Sequence, residues 1–235
     1  MQVFYAEWRT DSNIVALSEE ESYHAARVLR LGVGQQLLIT NGRGDWCKGS
    51  LIVCNHKECL VEITEKGSKP QRPVNLHLAL APTKNIDRFE WFLEKATECG
   101  IDEITPIFCD FSERTSIKPD RLKKILISAM KQSLRAYLPV LNPEIKFKAF
   151  IQKDFKAVKM IAHCKNGSRN GIAEHYLPGQ NALLLIGPEG DFSDDEVQAA
   201  LNKGYQPVTM GQYRLRTETA ALAGCVQLNL MNGLL

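Results

Sequence analysis

The chain has 235 residues, of which 44% are hydrophobic and 24% charged, with a formal net charge of +2. These values suit a folded, water-soluble chain and exclude a polybasic histone-like protein, although so small a sum can hide a local basic patch. No apolar run is long enough to span a bilayer, and residues 1–9 lack the basic-then-apolar order of a secretory leader, so a cytoplasmic location is expected.

Residues 2–5 read as a short strand. Ser18-Glu19-Glu20-Glu21 has the form of a capping box and opens a helix through Tyr23, His24, Ala26, Arg27, Val28 and Leu29 that stops before Gly32 and Gly34. Residues 36–40 form the next strand. Asn41-Gly42-Arg43-Gly44-Asp45 signals a hairpin, and residues 46–54 and 59–64 are two more strands. Short strands joined by tight turns predict a small β-barrel over residues 1–68. The seven cysteines are odd in number and include no Cys-x-x-Cys, which suits reduced thiols packed as small hydrophobes. Cys47, Cys54, His56 and Cys59 lie close in sequence, but their spacing fits no common zinc site, so no metal is expected.

Residues 66–73 combine Gly67, Pro70 and Pro73 with charge and read as a linker. The second domain is placed at residues 74–235. It opens with a strand at 74–81 and a helix at 87–99 whose apolar positions are 89, 92, 93 and 96, ended by Gly100. A strand at 103–108 and a long helix at 119–137 follow; Gln132 and Arg135 are three apart and so share a helix face. Residues 159–163 form a strand, and the polar, glycine-rich stretch 165–171 reads as a flexible surface loop. Alternating strands and helices predict a parallel sheet covered on both faces.

Two strand–loop–helix units close the chain. Leu183-Leu184-Leu185-Ile186 is apolar without alternation, as a strand covered on both faces is. It runs into Gly187-Pro188-Glu189-Gly190-Asp191, after which Ser193 and Glu196 form a capping box. A short strand at 207–210 ends at Gly211, and a helix begins near Thr217. That helix, 217–231, is apolar nearly all round and is therefore buried or in an interface. The two glycine-bearing loops fall at the carboxyl ends of neighbouring parallel strands, where open α/β sheets bind ligands. Taken alone, each loop could be simple punctuation, and Thr217-Glu218 could be only a helix start. No Gly-x-Gly-x-x-Gly follows a strand, since Gly32-Val33-Gly34 continues as Gln35-Gln36-Leu37, so a Rossmann-type site is disfavoured.

Together, Gly187-Pro188-Glu189-Gly190 and Leu215-Arg216-Thr217-Glu218-Thr219-Ala220 resemble the RsmE family, the 16S ribosomal RNA uridine-N3 methyltransferases of the SPOUT (trefoil-knot) superfamily. The resemblance extends to residues 24–31, 84–88, 94–101, 114–115 and 129–135. It implies an α/β fold: a C-terminal SPOUT trefoil-knot domain with a mostly parallel sheet, plus a small N-terminal PUA-like β-barrel that binds RNA. It also implies a homodimer that uses S-adenosylmethionine and no metal, acting on 16S rRNA of the small ribosomal subunit at uridine 1498 in the decoding region. The cofactor would then lie against Leu185, Gly187, Pro188, Glu189, Gly190, Met210, Gly211, Leu215, Thr217 and Thr219. Arg9, Arg27, Arg30, Arg43 and Lys48 would contact RNA phosphates.

Uridine N3 carries a proton that must leave before or during attack, and a cation near O2 or O4 favours that loss. Arg216 is the first candidate, with Arg114 and Arg135 as alternatives. Glu218 or Glu189 could act as base, but each could equally be a structural carboxylate. Two residues depart from the family pattern: Asp191 replaces a second glycine, and Tyr213 stands where arginine is common. Another SPOUT reaction, ribose 2′-O methylation, and a non-catalytic RNA-binding or ribosome-assembly protein are the competing readings.

Overall fold

The computed structural model describes residues 1–8, 11–165 and 170–235. Arg9 and most of the 165–171 stretch lie outside the described residues. The chain divides into two compact units: Met1–Gln71 with Ile127–Leu138, and Arg72–Leu126 with Pro139–Leu235. The sequence-based boundary near residue 70 therefore leaves out one piece, because residues 127–138 group with the first unit. The expected linker also begins inside a strand that runs to Ser68.

In the first unit, β1 (Val3–Tyr5), β2 (Ile14–Ala16), β3 (Gln36–Thr40), β4 (Asp45–Cys54) and β5 (Cys59–Ser68) form one sheet in the order β1-β3-β4-β5-β2. The order is an open path, so the strands curve as a partial barrel and not a closed one. Alternation turns Leu37, Ile39, Cys47, Leu51, Cys59 and Val61 inward, where they meet Phe4, Val15 and Ala25. In the hairpin, Asn41 Oδ1 accepts from the Arg43 and Asp45 N–H groups at 2.8 and 3.2 Å, and Gly42 and Gly44 take positive φ.

Helix α1 (Glu19–Tyr23) starts as the sequence implies, with Ser18 Oγ accepting from Glu21 N–H at 3.2 Å. Only half of the capping box forms. The Glu21 carboxylate turns away and takes Lys131 Nζ at 2.5 Å. A π-helical turn (His24–Val28) then carries Arg27 and leads to Arg30, held at φ 53.

In the second unit, β6 (Leu76–Leu80), β7 (Glu103–Phe108), β8 (Val140–Leu141), β9 (Ile145–Lys146), β10 (Val158–Ala162), β11 (Asn170–Gly171), β12 (Ala182–Ile186) and β13 (Gln206–Thr209) build a sheet ordered β11-β13-β10-β12-β6-β7-β8, with β9 also on β7. Every pairing is parallel. β6 and β12 are buried at every position, which is why their sequences show no alternation. Helices α2 (Ile86–Cys99), α3 (Pro119–Gln132), α4 (Phe147–Phe150), α5 (Asp194–Asn202) and α6 (Thr217–Met231) complete the set, α3 ending within the first unit. Gly100 caps α2 at φ 95.

Two expectations need correction. Helix α3 stops at Gln132, where Leu134 turns to φ 56 and the Arg135 N–H closes on the Met130 carbonyl at 3.1 Å. Gln132 and Arg135 therefore do not share a helix face. Second, β12 and β13 are not neighbours, since β10 lies between them.

Arg72, expected in a linker, is an anchor of the second unit. Its guanidinium bonds Asp102 Oδ1 at 2.7 Å, Asn229 Oδ1 at 2.8 Å and the Gly100 carbonyl, while Asp102 Oδ2 accepts from Leu76 N–H at 2.7 Å. The end of α2, the start of β6 and the end of α6 meet on the Arg72–Asp102 pair.

His77 is buried, with Nε2 2.7 Å from Thr105 Oγ1 and its ring edge-on to Phe150 and Phe155. Burial lowers its pKa from the ordinary 6.5 to about 4; Lys153 adds to the effect and Glu103 opposes it. Between those two values the unfolded chain binds a proton that the folded chain refuses. Stability is therefore full above pH 6.5 and falls as pH drops toward 4. Urea midpoints measured across that window should decline, and a His77→Gln variant should show a flatter decline.

Candidate active site

The loops after β12 and β13, the end of β10 and the first turn of α6 enclose a cavity of about 650 Å³. Strand order explains the assembly. β10 lies between β12 and β13, so its last residues, Ala162, His163 and Cys164, form the wall between the two glycine-bearing loops. The open end of a parallel sheet is where backbone groups have no ladder partner and can meet a ligand.

The first loop is shaped by backbone geometry. Pro188 carbonyl accepts from Asp191 N–H at 2.9 Å, closing a turn. Gly187 packs so closely on Phe192 that a Cβ would lie 3.1 Å from its backbone nitrogen and ring. Asp191 adopts φ 67, a left-handed conformation that glycine takes freely and aspartate tolerates when its carboxylate bonds locally. It does so here: Oδ1 accepts from Phe192 N–H at 2.8 Å and Oδ2 from Cys164 N–H at 2.7 Å. The departure at Asp191 thus keeps the backbone that a glycine would give and adds a tie to the end of β10. Ser193 and Glu196 form both halves of their capping box, at 3.2 and 2.9 Å.

The second loop is fastened to the first. Thr217 Oγ1 donates to the Gly187 carbonyl at 3.1 Å, and Thr217 is buried. The intervening residues 211–216 are exposed and carry Gln212, Tyr213, Arg214, Leu215 and Arg216 along the cavity. Arg214 and Arg216 give this rim a positive field.

The structure sorts the residues proposed from sequence. Gly187, Pro188, Glu189, Met210, Gly211, Leu215, Arg216 and Thr217 line the cavity. Leu185 lies inside β12 and is fully buried; Gly190 backs onto Phe111, 3.0 Å from where its Cβ would be; Thr219 is exposed on α6. None of these three reaches the cavity. Arg114 is not at the cavity either. Its Nε and Nη2 bond the Thr83 and Lys84 carbonyls at 3.0 and 2.7 Å. Glu189 holds the same segment from the other side, with Oε1 accepting from Lys84 N–H at 2.9 Å. Glu218 is 7% exposed and lies outside the cavity wall, and Oε2 has no hydrogen-bond partner among the described residues.

Arg135 lies in the first unit, past the end of α3. There, Arg27 and Arg30 are exposed on and after the π-helical turn. Arg43 faces Glu7 at 3.8 Å, and Lys48 pairs with Glu65 at 2.7 Å over the Trp46 ring. His163 and Cys164 were not singled out as site residues from the sequence. Their signal, a position just past a parallel strand, is visible only once β10 is known to be central.

Residues 70–229 match the family described as RNA methyltransferase domain, and residues 17–64 match the RNA methyltransferase PUA domain. Ribosomal RNA small subunit methyltransferase E of Mesomycoplasma hyopneumoniae is 33% identical over 179 residues, covering 73% of this chain and 76% of that protein. A crystal structure of a "probable rRNA-methyltransferase" from Porphyromonas gingivalis superposes with a TM-score of 0.90 at 40% identity, covering 99% of both chains. Ribosomal RNA small subunit methyltransferase E from Neisseria gonorrhoeae, solved bound to S-adenosyl methionine, gives 0.85 at 27% identity over 98% of this chain and 97% of that one.

Asp191→Ala removes both carboxylate bonds and leaves a non-glycine residue at φ 67. Loss of about 1–3 kcal/mol is expected. Asp191→Gly loses the tie to Cys164 but relieves the backbone, so thermal denaturation should rank wild type above Asp191→Gly and Asp191→Gly above Asp191→Ala.

Proposed function

The chain belongs to the RNA methyltransferase family of the ribosomal RNA small subunit methyltransferases E, RsmE, and from that membership we propose that it methylates N3 of a uridine in 16S rRNA, uridine 1498, with S-adenosylmethionine as donor. The observation that carries the reading is the cavity at the open ends of β10, β12 and β13, with two glycine-bearing loops tied by Thr217 and a cationic rim alongside.

The cavity's residues fit this cofactor. Gly211 has open space where a Cβ would stand, so a ligand can approach the chain closely there, and Ile186, Met210 and Leu215 give apolar surface for a flat purine. Bound there, S-adenosylmethionine supplies an electrophilic methyl group. The protein supplies orientation and electrostatics. Arg216, and Arg214 beside it, would stabilise negative charge on O2 or O4 as N3 loses its proton. Glu189 is engaged with Lys84 N–H and so holds the scaffold in preference to the substrate, while Glu218 is buried in the first turn of α6, outside the cavity wall. Arg114 likewise positions the loop at Thr83–Lys84 and does not contact the base.

The first unit would hold RNA through Arg27 and Arg30, which are exposed, with Arg43 and Lys48 contributing beyond their carboxylate pairs. A homodimer completes the proposal. Leu222, Val226 and Leu230 form an i, i+4 apolar stripe on α6 that stays partly or fully open to solvent, and a second copy would cover it. The knotted path implied for the two loops and a cytoplasmic setting with assembled small subunits belong to the same proposal.

The test is methyl transfer from labelled S-adenosylmethionine to small ribosomal subunits lacking the modification, and to naked 16S rRNA, with mass mapping of the product. 3-Methyluridine is expected. A ribose-methylated nucleoside, or cofactor binding without any product, would overturn the assignment. Arg216→Ala should lower turnover by about 10²–10³ while cofactor affinity stays near that of wild type. Arg114→Ala should lower thermal stability and cofactor affinity together.

A further inference from the structure

The β4–β5 hairpin closes on two cysteines that the proposed reaction does not use. Cys54 and Cys59 face each other in register, with their sulfurs 3.8 Å apart. Residues directly opposed on an antiparallel ladder hold their Cα atoms about 4.5–5.5 Å apart, within the span that a disulfide bridges. Both thiols also reach the helical segment that follows β2. The Cys54 S–H donates to the Leu31 carbonyl at 3.2 Å. Cys59 Sγ lies 3.8 Å from the Ser22 carbonyl, and its backbone N–H donates to the Ser22 hydroxyl at 2.9 Å. Ser22 and Leu31 bracket the π-helical turn and the two exposed arginines, Arg27 and Arg30. Burial pushes the Cys54 thiol up, and the Cys59 sulfur adds to that, which favours the S–H form that donates to Leu31.

We propose that Cys54 and Cys59 are a thiol-oxidation site, closed to an intrachain disulfide by a hydroperoxide, and that closure loosens the segment presenting Arg27 and Arg30. The chemistry balances. Cys54, the less buried of the two, gives up its proton and attacks the O–O bond of hydrogen peroxide, giving a sulfenic acid and water. The second thiol attacks that sulfur, the S–O bond breaks, and the hydroxyl leaves as a second water. The two sulfurs lose two electrons in all, the peroxide oxygens gain them, and the thiol protons leave in the water formed. In the disulfide neither sulfur carries a hydrogen, so the Leu31 carbonyl loses its donor. A small-molecule dithiol reverses the step.

The test treats the full-length chain with hydrogen peroxide, followed by peptide mapping and amide hydrogen exchange. The expected product is a peptide pair joined through Cys54 and Cys59, lighter by two hydrogens and separated again by dithiothreitol. Exchange of the Leu29 and Leu31 amides, which bond the His24 and Ala25 carbonyls at 2.9 Å, should quicken by about two-fold, as loss of one weak thiol hydrogen bond allows. Cys54→Ser keeps a donor for Leu31 and cannot bridge, so its exchange should not respond to peroxide. The proposal is overturned if the exposed Cys164 oxidises while Cys54 and Cys59 remain thiols. It is also overturned if the bridge forms without changing exchange in the segment, or if Cys54→Ser responds like wild type. None of these readouts depends on methyl transfer.

Discussion

One hydrogen bond, between a threonine hydroxyl and a glycine carbonyl, fastens together the two loops that shape the cavity. Thr217 and Gly187 belong to loops whose strands are separated by β10, so no ladder holds the loops together. The bond is buried, which raises its worth, because breaking it leaves a carbonyl in a place water does not reach. Asp191 makes the complementary tie, from the first loop to the end of β10. Three chain segments that the sheet only brings near each other are thus locked into one surface by two side chains.

Two charged side chains also hold backbone in place. Glu189 and Arg114 grip the backbone at Thr83 and Lys84 from two directions. Both look like catalytic groups in the sequence, a carboxylate in a glycine-rich loop and an arginine near it. In the structure their hydrogen-bonding capacity goes to main-chain groups. The exposed rim, by contrast, carries Arg214 and Arg216. The division is chemically sensible, since a loop that must keep its shape needs its orphan amides and carbonyls filled.

The sequence discloses what is local. Leu183-Leu184-Leu185-Ile186 reads as a doubly covered strand because burial on both faces removes alternation. Gly100 and Ser193 announce a helix end and a helix start through conformations and bonds that few residues supply. What stays hidden is non-local or depends on competition. Nothing near His163 says that its strand lies between β12 and β13. Glu21 sits where a capping box needs it, but Lys131, 110 positions away, captures its carboxylate. Leu134 has no feature that marks it for positive φ, so α3 appears longer in sequence than it is. β2, β8 and β9 are too short for any period to show.

The pairing of β6 with β12 also has a meaning in time. β6 meets β7 after a short helical crossover, but its other edge waits for β12, about a hundred residues further along the chain. Synthesis adds roughly 5–20 residues per second, so that edge stays open for several seconds at least while the chain grows. During that interval the strand Leu76-His77-Leu78-Ala79-Leu80 offers unpaired amides and an almost wholly apolar surface, the combination that invites pairing with the wrong strand. The helix that seals this side of the sheet, α6, is made last of all. An architecture that completes its central strand pair about a hundred residues late, and its covering helix later still, therefore favours a nascent chain that is shielded in the meantime.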